Sequence, residues 1–270
     1  MGVVNVTPDS FSDGGRFLDP QAAVAQGRRL VEEGARMLDV GGESTRPGAD
    51  AVPAEEELRR VVPVVEGLAG AGATISIDTS KAAVATASLD AGASYVNDVT
   101  AFRGDPELAG LVADRGADCC LMHMLGTPRT MQDDPRYDDV VSDVKAFLEA
   151  RLAFAVAEGV AEARVMLDPG IGFGKTLEHN LELLARLGEI VALGRPVVIG
   201  LSRKAFLGKI TGRNAAGRAV ATAAANALAL ERGASVFRVH DVPETLDALA
   251  VAAATLAGGW PLTPRTTTTT

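Results

Sequence analysis

The sequence predicts a single-domain α/β protein, a closed (β/α)8 barrel over residues 1–258 with residues 259–270 as a C-terminal tail. Three observations lead there. Short apolar, β-rich runs alternate along the chain with amphipathic helical stretches, the pattern that builds parallel sheets. The runs number eight in 270 residues, close to the ~250 of a typical barrel. No linker-like shift in composition divides the chain in two, and 47% hydrophobic content can bury a large core. An open doubly wound sheet is the alternative for the same alternation.

The strand candidates, in order, are "GVVNV", "MLDV", "TISID", "SYVND", "DCCLMH", "RVMLD", "PVVIGLS" and "SVFRVHD". Helix starts sit between them. Asp19 followed by Pro20 suits a cap and first position, and Pro53 followed by Glu55, Glu56 and Glu57 suits the positive end of a helix dipole. Each run ends in a polar residue: Asn5, Asp39, Asp78, Asn97 with Asp98, His123, Asp168, Ser202 with Arg203 and Lys204, and Arg238 with His240. In a barrel these ends meet on the face that carries chemistry. The opening "NVTPDSFSDGG" (5–15) then becomes the first βα loop, a polar, flexible flap beside a site.

A net charge of −9 excludes nucleic acid and anionic membrane as partners of the whole surface, so any anion must be captured locally. The apolar runs are far shorter than the ~18 residues of a spanning helix, and nothing resembles a signal peptide, so a soluble, cytoplasmic protein is expected. The adjacent Cys119 and Cys120 read as buried thiols.

Four motifs carry the functional reading. "DPGIGFGKT" (168–176) has proline where a Walker loop needs glycine, and its glycines miss the dinucleotide register; a glycine turn that lets backbone approach a planar ligand remains. "GLSRKAFLG" (200–208) places Ser202, Arg203 and Lys204 at a helix start where an anionic group can dock. "RVHD" (238–241) spaces Arg238 and His240 so that both project to one side of a strand, an oxyanion clamp that Arg46 of "DVGGESTRPG" (39–48) could join. Asp39 and Glu43 are read as helix-cap or loop-ordering groups, and His179 as structural or as a support behind the site residues. Asp78, Asn97 and Asp168 together suit a planar heterocycle, because a carboxylate facing adjacent ring and exocyclic N–H donors makes paired bonds.

In order from residue 1 to about residue 258, "MGVVNVTPDSFSDGG", "DVGGESTRPGA", "SIDTSKAAVA", "VNDVTAF", "LMHM", "LDPGIGFGKTLEHN", "GLSRKAFLG" and "RVHDV" resemble the motif series of the dihydropteroate synthase family, pterin-binding enzymes on the TIM-barrel fold. The resemblance implies a transferase that joins 4-aminobenzoate to a dihydropterin methyl diphosphate, releasing pyrophosphate, with Mg²⁺ as cofactor and a homodimer as the assembly. It implies pterin-binding roles for Asp78, Asn97, Asp168 and Lys204, with Met122 and Phe173 lining the pocket. Asn5 matches the metal and diphosphate position, and Arg46, Arg238 and His240 match the anion-binding positions. Phe11, Asp13, Thr45 and Pro47 match two loops that close over the aminobenzoate, and Asp13 orders the first of them. Sulfonamides resemble aminobenzoate, and Phe11, Thr45 and Pro47 are of the residue types found in susceptible members, so sensitivity is expected.

Three departures accompany the resemblance. The chain starts inside the first strand motif, so N-terminal elements that cap the barrel bottom are expected to be truncated. Ala205 stands where some members have serine, leaving a carboxylate to helix N–H groups with Ser202 or Arg203. The closing "TTTTT" matches no family element. A pterin-dependent methyltransferase domain, a non-catalytic paralogue and a P-loop nucleotide binder are the competing readings.

Overall fold

Each predicted apolar run contains a strand. The computed structural model describes residues 1–7 and 19–258. The strands are β1 (Gly2–Asn5), β2 (Met37–Gly41), β3 (Thr74–Asp78), β4 (Tyr95–Asp98), β5 (Asp118–Met122), β6 (Val165–Asp168), β7 (Val198–Ile199) and β8 (Val236–Phe237). All pairings are parallel. One ladder runs from β1 to β6 and a second joins β7 to β8. Single bridges from Leu167 to Val197 and from Gly2 to Val239 complete the ring. Backbone bonds from Val3 N to Val239 O (3.0 Å) and from Val239 N to Met1 O (2.9 Å) seal β1 against β8. The closed barrel, rather than the open sheet, is the architecture.

Period-two alternation explains the layers. Val4, Leu38, Val40, Ile75, Ile77, Val96, Leu121, Leu167 and Ile199 belong to the large buried cluster shared with the helices. The residues between them face the barrel axis, where Tyr95, Cys120 and Val198 pack with Met1, Met37, Met166 and Val236 into a separate floor. Cys119 and Cys120 are buried free thiols, one in each layer.

The outer ring consists of α1 (Pro20–Glu32), α2 (Ala54–Leu68), α3 (Ala82–Asp90), α4 (Leu108–Arg115), α5 (Val140–Ala157), α6 (Leu177–Ala185), the short α7 (Gly188–Val191), α8 (Ala205–Thr211), α9 (Ala219–Glu231) and α10 (Val242–Leu256). The predicted starts hold. Asp19 caps α1, its side chain accepting from Gln21 N at 2.9 Å with Pro20 in the first turn, and α2 begins after Pro53 with three glutamates in its first turn. His179 is structural: it closes a reciprocal capping box with Thr176 at the start of α6.

The last two strands are shorter than their sequence runs. "PVVIGLS" keeps two strand residues because Gly200 and Ser202 already belong to the turn into α8, where Arg203 adopts a left-handed φ of 57°. "SVFRVHD" leaves the ladder gradually: Arg238 N still bonds Ile199 O at 3.0 Å. Among the described residues, no helix is long and apolar enough to cross a membrane.

Candidate active site

At the C-terminal end of the barrel, the inward positions are polar. Asp39, fully buried, accepts from Ser76 Oγ (2.6 Å), Asn97 Nδ2 (3.0 Å) and Arg238 Nε (2.5 Å). The other arm of the Arg238 guanidinium donates to Asp78 Oδ2 at 2.8 Å. One cation thus bridges two carboxyl groups. Burial raises the Asp78 carboxyl to about 8; Arg238 works against that shift and Asp39 adds to it. Burial alone would weaken the Arg238 guanidinium, but Asp39 and Asp78 outweigh it and hold the proton more firmly than usual.

Asp168 closes the β6 side. Its Oδ1 accepts from Gly170 N at 2.7 Å, and among the described residues Oδ2 has no protein donor. Burial raises its pKa, partly offset by the Gly170 N–H and by Lys204 and Lys175. Lys204 Nζ donates to Ile171 O at 2.5 Å and lies 4.1 Å from the Phe173 ring centre. Burial lowers its ammonium to about 8, with Asp168 opposing. Phe173 packs on an apolar shelf of Val99, Met122, Met124 and Met131. A buried patch of three carboxyl groups against Arg238 and Lys204, beside a flat apolar shelf, suits a planar ring that offers N–H donors and tolerates positive charge.

The loop after β6 is fixed by its neighbours. Four successive carbonyls accept from side chains: Ile171 from Lys204, Gly172 from Gln132 Nε2 (2.8 Å), Phe173 from Lys175 Nζ (3.0 Å) and Gly174 from the Tyr137 hydroxyl (2.7 Å). The glycines serve this packing. A Cβ on Gly170, whose φ is +65°, would sit 1.8 Å from His123 O, and one on Gly174 would sit 2.6 Å from Leu125 Cβ. The close approach anticipated for a ligand is therefore an approach to the β5 exit.

On the opposite side of the mouth the site is basic. His240 Nδ1 lies 2.9 Å from Ser202 Oγ, which also accepts from His240 N at 3.1 Å. The arrangement that uses the hydroxyl fully has it donating to Nδ1, which leaves the ring proton on Nε2. Burial lowers the imidazole to about 4, helped by the charges of Arg238, Arg203 and Arg46, so the ring is neutral near pH 7. Arg46 itself is exposed and available to a ligand. A neutral N–H donor beside several guanidinium groups suits a polyanion such as a diphosphate.

The second loop reaches this mouth on an ionic tether. Lys81 Nζ binds Glu57 Oε2 at 2.5 Å and also Glu43, tying the β2–α2 loop to the start of α3. Gly48 N donates to Pro128 O at 3.0 Å. Between these loops and the strand exits lies a cavity of about 80 Å³ lined by Thr45, Asp78, Thr79, Val99, Met124 and Pro128.

The structure thus brings Asp78, Asn97, Met122, Asp168, Phe173, Ser202, Lys204, Arg238 and His240 to one mouth, with Thr45 on the cavity rim and Arg46 and Pro47 exposed on the same loop. Asn5 occupies the inward end of β1, in register with Gly41. Asn5 of the predicted flap thus ends β1, and Phe11 and Asp13, with the other flap residues from 8 to 15, lie outside the described residues.

Four expectations are corrected. Asp39 is no cap or loop-ordering group but the buried hub that orients Asn97 and Arg238, since an inward mid-strand position cannot reach a helix start. Asp98 and His123, read as part of the convergent set, fall on the outward parity. Asp98 accepts from Thr100 N (2.7 Å) and Phe102 N (2.6 Å), and His123 stacks edge-on against Phe147 of α5. Arg203 pairs with Asp241 through two bonds, Nε to Oδ2 being 2.9 Å, and is committed to the β7–α8 turn rather than free for a carboxylate. Gln132 and Tyr137 reach the β6 loop only through the fold, and Lys175, although within that loop in sequence, meets its partner His123 only there.

A (β/α)8 barrel with a donor-seeking ring pocket and an adjoining anion cradle at its C-terminal mouth defines an enzyme for an anionic, heterocyclic substrate. The chain belongs to the family of pterin-binding enzymes, whose model matches residues 1–240. It is 50% identical over 266 residues to the dihydropteroate synthase of Mycobacterium leprae, covering 96% of this chain and 94% of that one. It is 47% identical over 254 residues to a probable bifunctional folylpolyglutamate synthase/dihydropteroate synthase of Haloferax volcanii, covering 94% of this chain but only 30% of that longer one. Among solved structures, the Yersinia pestis dihydropteroate synthase with a sulfonamide drug complex superposes with a TM-score of 0.91 at 44% identity, covering 95% and 93% of the two chains. The Xanthomonas albilineans enzyme in complex with 7,8-dihydropteroate gives 0.85 at 47%, covering 95% and 92%.

Proposed function

We infer that this chain is a dihydropteroate synthase: a transferase that condenses 4-aminobenzoate with 7,8-dihydropterin-6-ylmethyl diphosphate, giving 7,8-dihydropteroate and pyrophosphate. The observation that carries the reading is the pairing of two unlike half-sites. Asp78, Asn97 and Asp168 form one, and His240, Arg238 and Arg46 border the other, so a ring and a diphosphate on one methylene can be held at once.

The bond from the methylene carbon to the diphosphate oxygen breaks, the aminobenzoate nitrogen bonds to that carbon, and the amine loses a proton. The protein's task is electrostatic. Asp168 favours positive charge on the pterin as the leaving group departs, the buried Asp78 carboxyl hydrogen-bonds the ring, and Lys204 and Phe173 hold the ring's plane. His240 offers Nε2–H, and Arg238 and Arg46 offer charge, to the departing oxygens. Thr45 and Pro47, together with Phe11 and Asp13 of the first loop, are assigned to covering the aminobenzoate and excluding water from the cation, a role that suits the cavity beside Asp78.

The donor set suits Mg²⁺ brought in with the diphosphate. Asn5 supplies a hard amide oxygen at the β1 exit, and among the described residues no group of three acidic, His or Cys side chains could hold a metal without the substrate. A divalent ion held by Asn5 and the diphosphate would supply charge neutralisation to the leaving group. The reading extends to a cytoplasmic homodimer, for which α9 and α10 leave Val220, Leu228, Val251 and Leu256 exposed. Light scattering is expected to give twice the 27.8 kDa chain mass; a monomer rejects the dimer.

The deciding experiment is pyrophosphate release from the purified protein. Release should require both substrates, stop on chelation with EDTA and resume with Mg²⁺. A sulfonamide should raise the apparent KM for 4-aminobenzoate without lowering kcat. Release that proceeds from folded protein without either substrate, or a folded protein that forms no dihydropteroate, overturns the assignment.

A further inference from the structure

Lys175 is 3% exposed, and among the described residues no other lysine or arginine is as deeply buried. It has no carboxylate within ion-pair distance there. Its Nζ meets His123 Nδ1 at 2.9 Å and Phe173 O at 3.0 Å, and the Tyr137 ring centre lies 6.0 Å away. Burial pushes the pKa of this amine well below the ordinary lysine value, and burying it is costly whether charged or neutral, whereas methionine would fill the same slot at little cost. The need it meets must therefore lie in its hydrogen bonds. His123 is suited to accept, because burial, with the charges of Lys175 and Arg103, pushes its imidazole down to about 2 and keeps it neutral.

The bond to Phe173 O is the consequential one. The flanking carbonyls of Gly172 and Gly174 are held by Gln132 and by Tyr137, and among the described residues the Phe173 carbonyl is held by Lys175 alone. With that peptide fixed, the Phe173 ring lies beside Lys204 and against Val99, Met122, Met124 and Met131, while Gly170 N of the same loop bonds Asp168 Oδ1. We propose that Lys175, seated on His123, is a positioning residue that presents Phe173 and Asp168 to the pterin ring. It sits on the outer side of the strand exits and acts through the loop rather than on the substrate.

The inference rests on the synthase reading, so wild-type turnover is measured first; if that fails, the functional reading falls rather than this one. In the folded Lys175→Met variant the KM for the dihydropterin diphosphate is expected to rise about tenfold, with the KM for 4-aminobenzoate within twofold of wild type. A purely structural lysine would move both constants or neither. Either of those results, in a variant whose circular dichroism matches wild type, overturns the proposal. Should Lys175→Met not fold, Tyr137→Phe decides, because it removes only the hydroxyl from Gly174 O at the end of the same loop. It is expected to raise the pterin-substrate KM about threefold and leave the aminobenzoate KM unchanged, and an unchanged pterin KM overturns the proposal.

Discussion

Asp168→Asn is expected to lower kcat/KM for pyrophosphate release by about 10²–10³, on the scale of losing one preorganised electrostatic contact at a developing charge. The substitution preserves shape. An asparagine Oδ1 can still accept from Gly170 N, now 2.7 Å from Asp168 Oδ1, so the loop should keep its path. What changes is the outer atom: the oxygen that has no donor among the described residues becomes an NH₂ group. It then meets the ring's N–H donors with hydrogens, and the negative charge beside a pterin cation disappears.

Stability should move the other way. Burial raises the native pKa of Asp168 above its ordinary value of 3.8, so the native state holds that proton longer than the unfolded chain does. Its contribution is therefore fully present below the unfolded value and is lost as pH rises through the native one. The variant lacks this loss, so its Tm advantage over wild type should grow as pH is raised from about 4. The two readouts separate roles. Loss of activity together with a lower Tm at pH 7 would mean that Asp168 supports the fold rather than the ligand, and unchanged kcat/KM would remove it from the site.

Much of this architecture is legible from alternation, because a strand whose outward residues are Val, Leu and Ile states which residues face the axis. The same parity, applied one step further, separates His123 from Met122 and Asp98 from Asn97: both pairs sit at strand exits, but only Met122 and Asn97 face the mouth. Asp39 was legible as an acidic residue at an inward position within an apolar run. Its hub role was not, because the partner that defines it, Arg238, lies 199 residues away. Nor could the glycines of "DPGIGFGKT" reveal their neighbours. Chain order says that a loop needs left-handed backbone; only the fold shows which backbone it presses against. Lys175 follows the same rule, since its acceptor is at the β5 exit and its target is two residues back.

Gly170 offers the strongest test of that packing. A Cβ there would lie 1.8 Å from His123 O and 3.0 Å from the His123 carbonyl carbon. Neither atom is the end of a flexible side chain. His123 N is itself bonded to Asp168 O at 3.0 Å, so β5 cannot retreat without breaking its pairing with β6. The left-handed φ of +65° adds roughly 1–2 kcal/mol for any residue with a Cβ. Together the clash and the strain should put Gly170→Ala at about 3–5 kcal/mol of destabilisation, a fall in Tm of about 10 °C for a chain of this size. Gly172→Ala is the matched control. It shares a left-handed φ, +82°, but its Cβ would meet the Lys204 side chain, whose Cδ is 3.0 Å away and can shift. Strain alone should then cost it a few degrees at most. Thermal melts of the two variants decide the matter: equal shifts would mean that conformational strain, and not contact with the β5 exit, explains the glycine at 170. If the shifts differ as expected, activity should follow, because the segment displaced in Gly170→Ala carries the N–H that holds Asp168 Oδ1, so the KM for the pterin substrate should rise more than that for 4-aminobenzoate.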